Sequence, residues 1–227
     1  MKNFLWLILP AVGLVLAGCG QQSAPQTNDN AAPTASDQAP AAATATPVDF
    51  SANPVLATTT GKQLLAKYTA AVLRTNFGDI TVKFYPQDAP QTITNFIKLS
   101  LVGFYDKVKF HRVIKDFMIQ SGDPNSKDDN WSDDGLGGPG YTVPDEINTR
   151  KLVLGSVAMA NQGQPDTGGS QFFIVTVSST PWLDGRYTNF GEVTAGLEAV
   201  KKIGNLPTNE NDHPTQDVII NSVELLP

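Results

Sequence analysis

A mainly β fold, a barrel or sandwich with two helical caps, is predicted by three features of the sequence. Short strand-like runs follow one another between glycine-rich turns. Only two stretches carry a helical period. The elements do not alternate strand, helix, strand as a parallel sheet requires.

The elements are predicted in order as follows. RTNFGDITVKFY at residues 74–85 alternates Ile80, Val82 and Phe84 with Thr81, Lys83 and Tyr85 after a turn at Asn76–Asp79, the pattern of a hairpin with one buried face. PQTITNFIKLSLVGF follows at residues 90–104, where Pro90 suits a first helical turn, Ile93, Phe96 and Ile97 recur at helical spacing, and Gly103 offers a stop. A second helix is predicted in GLEAVKKIGN, residues 196–205, with Leu197, Val200 and Ile203 as a stripe and Lys201 and Lys202 at the C-terminal end of the dipole. Strands are predicted at Lys109–Ile119, Val153–Met159, Gln171–Val177, Thr188–Val193 and Val218–Leu225, with no internal repeat.

The first sixty residues have another character. Lys2 precedes an apolar run from Phe4 to Ala17, interrupted by Pro10. It falls short of the ~20 apolar residues that span a bilayer, so residues 1–18 read as a secretory signal. Leu16, Ala17, Gly18 and Cys19 resemble the lipobox of bacterial lipoproteins, which implies that Cys19 is lipidated and the protein held on the extracytoplasmic side of a bacterial membrane. Cys19 is the single cysteine, so no intramolecular disulfide can form. Residues 19–60 are rich in Ala, Pro and Thr and poor in large apolar side chains, and are expected to be a disordered tether. Residues 61–227 are long enough for one domain with its own core.

Composition excludes several classes of function. A formal charge of −6 without a basic run argues against nucleic acid as a partner. His111 and His213 are the two histidines, and neither lies near a cysteine or an acidic cluster at zinc-ligand spacing, so no metal is expected. SKDDNWSDDG, residues 126–135, lacks the alternate-ligand order of an EF-hand and reads as a solvated loop. GLGGPG, residues 135–140, has no following Lys-Ser/Thr, so it is not a phosphate loop. Ser170 in GGSQ has no nucleophile elbow around it, and a pairing with His111 for acyl hydrolysis lacks an acidic orienter.

What remains is FHRVIKDFMIQSGDP at residues 110–124, which combines a strand-like run with an arginine that a buried strand has little use for. Together with TNFGDITVKFYPQDAPQTITNF (75–96), GSVAMANQGQPDTGGSQFFIV (155–175) and WLDGRYTNFGEV (182–193), it resembles the cyclophilin family of peptidyl-prolyl isomerases. The resemblance runs in order from about Tyr68 to the C-terminus. It implies an eight-stranded antiparallel β-barrel capped by two α-helices, with a shallow outer groove for a Xaa-Pro segment and no cofactor.

Carried over position by position, the resemblance makes Arg112 the catalytic residue and Phe117, Met118, Phe173 and Leu183 the walls of a proline pocket. Gln120, Ala160, Asn161, Gln171 and Trp182 surround it, and His111 also matches the family pattern. Trp182 stands where the family's cyclosporin-binding tryptophan stands, which implies inhibition by cyclosporin. After WLDG the sequence has Arg186 and Tyr187, where the commonest motif has a basic residue and histidine, so Tyr187 keeps an aromatic wall without the imidazole. The loop around Gln164 is one residue longer than usual and the Asp-rich loop several longer, both at the expected groove rim.

The function implied is acceleration of Xaa-Pro rotation during folding of exported, proline-containing polypeptides by a monomer. The alternative is a proline-peptide-binding or chaperone module with incidental turnover. An intact Arg112 beside an apolar pocket favours catalysis.

Overall fold

The computed structural model describes residues 46–227. The expected signal sequence, the lipobox-like residues with Cys19, and the expected tether as far as residue 45 lie outside them.

Eight strands form one antiparallel sheet: β1 Ala70–Thr75, β2 Gly78–Phe84, β3 Arg112–Ile114, β4 Met118–Ser121, β5 Ser156–Met159, β6 Phe172–Val175, β7 Asn189–Ala195 and β8 Ile220–Leu226. Their order across the sheet is β3-β4-β6-β5-β7-β2-β1-β8. The segments leading into the two edge strands run beside each other and close the sheet on itself. Phe110 N donates to Val218 O, Lys107 N to Ile220 O and Ile220 N to Val108 O, each at 2.8 Å. Closure removes the exposed edges that an open sheet would present.

The predicted strand at residues 109–119 is two short strands and a turn. Arg112 pairs with Gln120 and Ile114 with Met118, and Phe117 N returns to Ile114 O at 3.1 Å. The turn carries no glycine or proline, which is why an alternating pattern reads straight through it. Asp116 takes the positive φ, 57°, a conformation aspartate tolerates better than most residues.

The helices α3 (Pro90–Leu101) and α4 (Leu197–Gly204) are the two predicted caps. Two further helices, α1 (Pro54–Thr58) and α2 (Gly61–Lys67), precede β1, so the boundary expected at residue 61 falls between two folded elements and residues 46–60 are not the end of a tether. Asn53 caps α1, accepting from Val55 N at 3.0 Å and donating its amide to Leu101 O at 2.9 Å. Thr60 and Gln63 form a capping box on α2, whose Leu64 is fully buried.

The strands have apolar clusters on both faces. Inside, Phe96 of α3 sits among four rings, with centroids 5.7 Å to Phe84, 4.9 Å to Tyr105, 5.8 Å to Phe172 and 5.7 Å to Phe190. Ile119, Val157, Phe172 and Ile174 belong to that core. Their neighbours in sequence, Met118, Ala158, Phe173 and Val175, point the other way and form a second buried cluster with Leu152 and Leu183. This two-sided burial explains why β6 reads as an unbroken apolar run, FFIV.

Candidate active site

The second cluster is the floor of the candidate site. Arg112 of β3 lies opposite Gln120 of β4, Gln120 opposite Phe173 of β6, and Phe173 opposite Ala158 of β5. Residues in register share a face, so a guanidinium, an amide, an aromatic ring and a methyl group form one row across four strands. Met118 and Val175, also in register, lie alongside it.

Other elements raise the sides. A 3-10 turn, Pro181–Leu183, brings Leu183 onto the cluster and leaves Trp182 exposed, its ring 5.9 Å from that of Phe117. Tyr187 meets Phe173 edge to face at 5.3 Å. Ala160 N continues the ladder beyond β5 by donating to Gln171 O at 3.0 Å. The Gln171 amide oxygen accepts from Gln120 Nε2 at 2.9 Å, and its Nε2 donates to Gly135 O and Gly137 O at 2.9 and 2.8 Å. Gln120, Ala160, Asn161 and Gln171 then line a cavity of about 240 Å³ together with the glycine-rich segment 135–140.

Arg112 is half-buried and ion-paired. Its Nε lies 3.4 Å from Asp212 Oδ2, and its side chain keeps 31% of its surface open. Among the described residues, no group of three or more His, Cys, Asp or Glu is placed to hold a metal ion.

The model of the cyclophilin type peptidyl-prolyl cis-trans isomerases matches residues 70–225. The chain belongs to the cyclophilin family. Peptidyl-prolyl cis-trans isomerase-like 1 of Neurospora crassa is 42% identical over 157 residues, covering 67% of this chain and 91% of that one. The human protein of the same name is 44% identical over 153 residues, 65% of this chain and 87% of its own. A crystal structure of a cyclophilin type peptidyl-prolyl cis-trans isomerase from Cryptosporidium parvum superposes with a TM-score of 0.64 at 34% identity, covering 70% of this chain and 98% of that one. A second crystal structure of that protein was obtained in the presence of the dipeptide Ala-Pro, with the same TM-score and identity and 99% of that chain covered. This chain is therefore a peptidyl-prolyl cis-trans isomerase, and α1 and α2 precede the part that matches the family.

Of the residues expected at the site, this cyclophilin brings Arg112, Phe117, Met118, Gln120, Ala160, Asn161, Gln171, Phe173, Trp182, Leu183 and Tyr187 around the row and the adjoining cavity. His111 is the exception. It precedes β3, is 5% exposed, lies behind Gly135 of the cavity wall rather than in the row, and neither ring nitrogen makes a well-formed hydrogen bond. Burial, aided by the nearby His213 and Arg112, pushes its pKa down to about 3.

The unfolded chain takes up a proton at His111 near pH 6.5, whereas the folded protein holds the ring neutral until about pH 3. Its contribution to stability is therefore intact above the unfolded value and lost as pH falls, by ~1.4 kcal/mol per unit. Asp134 acts with the opposite sign: burial and the neighbouring Asp123 raise its pKa to about 6, so folding favours its protonated form. Burial raises the pKa of Asp123 too. The difference between unmodified protein and His111→Gln isolates the histidine. In urea titrations the variant should lose ~2–3 kcal/mol less between pH 7 and 4.5, and equal losses would show that the ring is not held neutral.

Two residues that sequence reasoning missed support this cyclophilin's site. Asp123 is fully buried and accepts from Asn125 N at 2.8 Å, from Gly137 N at 3.1 Å and from Gly135 N, tying the glycine-rich cavity wall to the end of β4. Any Cβ at Gly137 would sit 2.1 Å from the Asp123 carboxylate, so this wall requires glycine. Asp212 pairs with the Arg112 side chain, and its backbone oxygen also accepts from Val113 N at 2.8 Å. His213, next in sequence, stacks on Trp131 of the Asp-rich loop at 4.5 Å and places Nε2 3.3 Å from Asp134 Oδ2. That loop is therefore partly a clasp rather than wholly solvated. Asp212→Ala should lower kcat about two- to fivefold, as expected for a partly exposed charged pair worth up to ~1 kcal/mol, with KM nearly unchanged and partial recovery in Asp212→Glu. Exchange kinetics over a range of peptide concentrations check this.

Proposed function

We propose that Arg112 is the catalytic donor and that the row Arg112–Gln120–Phe173–Ala158, backed by the outer apolar cluster, is the groove in which a Xaa-Pro bond rotates. The observation that carries this reading is the shared outer face of those four residues. Rotation is slow because the peptide nitrogen's lone pair is delocalised into the carbonyl, a barrier of ~18–20 kcal/mol. In the twisted state that resonance is lost and the nitrogen becomes a true hydrogen-bond acceptor. A donor aimed there stabilises the transition state and neither ground state, the condition for a faster rate.

Arginine suits the role because a guanidinium is a permanently charged donor, and Asp212 holds its Nε. Phe117, Met118, Phe173 and Leu183 hold the pyrrolidine ring in a water-poor pocket, where the donor acts more strongly. Gln120 and Asn161 grip the substrate backbone while the acyl side turns. No bond is made or broken, so the chemistry calls for no cofactor. Substrates are proline-containing polypeptides, with a small residue such as alanine accepted before proline, in keeping with the Ala-Pro dipeptide used with the Cryptosporidium relative.

The lipobox-like LAGC at residues 16–19 supports a location outside the cytoplasm, with Cys19 as a lipid anchor and residues 19–45 as the remaining tether to a folded isomerase domain. The work is then on exported chains. Radiolabelled fatty acid should enter the unmodified protein and not Cys19→Ser; equal labelling would remove the anchor.

Cyclosporin tests the groove. One equivalent should abolish the acceleration of an Ala-Pro peptide and leave Trp182→Ala less sensitive. Undiminished turnover in the presence of bound cyclosporin would place the reaction elsewhere.

A further inference from the structure

Three Ala-Pro dipeptides stand ahead of the described residues: Ala24-Pro25, Ala32-Pro33 and Ala39-Pro40. The described chain begins beside the site. Val48 N donates to Pro139 O at 2.9 Å, and Pro139 lines the cavity shared with Gln120, Ala160, Asn161 and Gln171. From that wall, Gly137 O accepts from Gln171 Nε2 at 2.8 Å, the Gln171 oxygen accepts from Gln120 at 2.9 Å, and Gln120 lies opposite Arg112. Phe50 packs edge-on against Tyr141 at 6.2 Å and Asn53 bonds to Leu101 O, so the entry point is held in place.

We propose that the Ala-Pro units of residues 20–45 are intramolecular ligands and substrates of the groove, so that the chain isomerises its own N-terminal segment and competes with its clients. This rests on the groove reading given above. Pro40 is eight residues before Val48, and eight residues span up to ~28 Å, a reach that runs along the wall from Pro139 by way of Gln171 and Gln120 towards Arg112. Pro33 and Pro25 lie farther out and reach with slack. Residues 20–45 contain no lysine, arginine or aromatic residue, so no bulky or cationic side chain in them opposes entry to a shallow groove beside Arg112. A short linker holds its ligand at an effective concentration in the millimolar range, enough for even a weakly binding dipeptide unit to occupy the groove part of the time.

The test is exchange spectroscopy on the isotope-labelled full chain, following cis and trans signals of Pro25, Pro33 and Pro40, with an unlabelled Ala-Pro peptide added in a parallel sample. Uncatalysed exchange takes tens of seconds. The proposal predicts exchange at Pro33 and Pro40 more than about tenfold faster than in the isolated peptide of residues 20–45. That rate should not change with protein concentration and should return to the isolated-peptide value in Arg112→Ala. Replacing Pro25, Pro33 and Pro40 with alanine should lower the apparent KM for added peptide about twofold by removing the competitor.

Isolated-peptide rates in a chain that accelerates the added peptide would overturn the proposal and leave the groove reading intact. Acceleration proportional to concentration would assign the segment to the groove of another copy and overturn it as well. A chain that accelerates neither would overturn both.

Discussion

Replacing Arg112 with alanine should lower kcat/KM for an Ala-Pro peptide by about two to three orders of magnitude, the ~3–4 kcal/mol typical of removing one donor that acts only in the transition state. The loss should fall on kcat, because the apolar floor of Met118, Phe173 and Leu183, proposed above to hold the proline ring, is untouched. Arg112→Lys separates charge from geometry. It keeps the cation, but loses the planar fork and the Nε contact to Asp212, so most of the turnover should still be lost. Stability should change by less than ~1 kcal/mol in either variant, since the Arg112–Asp212 pair is partly exposed. A variant that turns over normally, or one that fails only because peptide no longer binds, would remove Arg112 from the chemistry and favour the binding-module alternative.

Phe96→Ala should be the most destabilising of the substitutions considered, by ~3–5 kcal/mol. The ring is the hub between α3 and the barrel interior, with four other aromatic rings within 5.8 Å of its centroid. Interiors are packed as densely as organic crystals, and five interlocked rings cannot collapse into the space one of them leaves. A domain of this kind has a total stability of only ~5–15 kcal/mol, so the variant should be close to unfolding at physiological temperature. Phe96→Leu should lose less than half as much, because it fills most of the volume. Urea titrations with an unchanged m-value check this. A change under ~1 kcal/mol would mean that the aromatic cluster does not hold the barrel.

How much of this was legible from the chain differs from element to element. In β2 the alternation of Ile80, Val82 and Phe84 reports a strand buried on one face, and the structure buries those three. In β6 the run FFIV has no period, because Phe173 and Val175 pack outward while Phe172 and Ile174 pack inward, so a strand is legible but its two roles are not. The split of 109–119 into β3 and β4 was hard to see because the turn at Lys115–Asp116 has no glycine or proline, and a lone aspartate, which takes the positive φ, is its one turn-favouring residue. The capping signals of α1 and α2, Asn53-Pro54 and Thr60-x-x-Gln63, were present in the sequence. A composition dominated by Ala, Pro and Thr in the residues just before obscured them.

The site was legible for a different reason. Single residues such as Phe117 or Phe173 resemble ordinary core positions, and only the family resemblance pointed to one outer face. The structure adds what neither pattern nor resemblance contained. Asp212 lies a hundred positions from Arg112, and the Trp131–His213 stack joins two loops more than eighty positions apart. Contacts that distant leave no periodic trace in a single sequence.

The central claim is that the outer face of β3, β4, β6 and β5 accelerates rotation about a Xaa-Pro bond. Its most direct test is cis–trans exchange of an Ala-Pro-Phe peptide, measured by NMR with substoichiometric full chain while the same spectra report which protein signals move. The account predicts exchange faster than the uncatalysed rate by several orders of magnitude, with shifts concentrated at Phe117, Ala160, Asn161, Phe173 and Trp182. Exchange at the uncatalysed rate in a protein with native dispersion, or acceleration with shifts clustered away from that face, would contradict it.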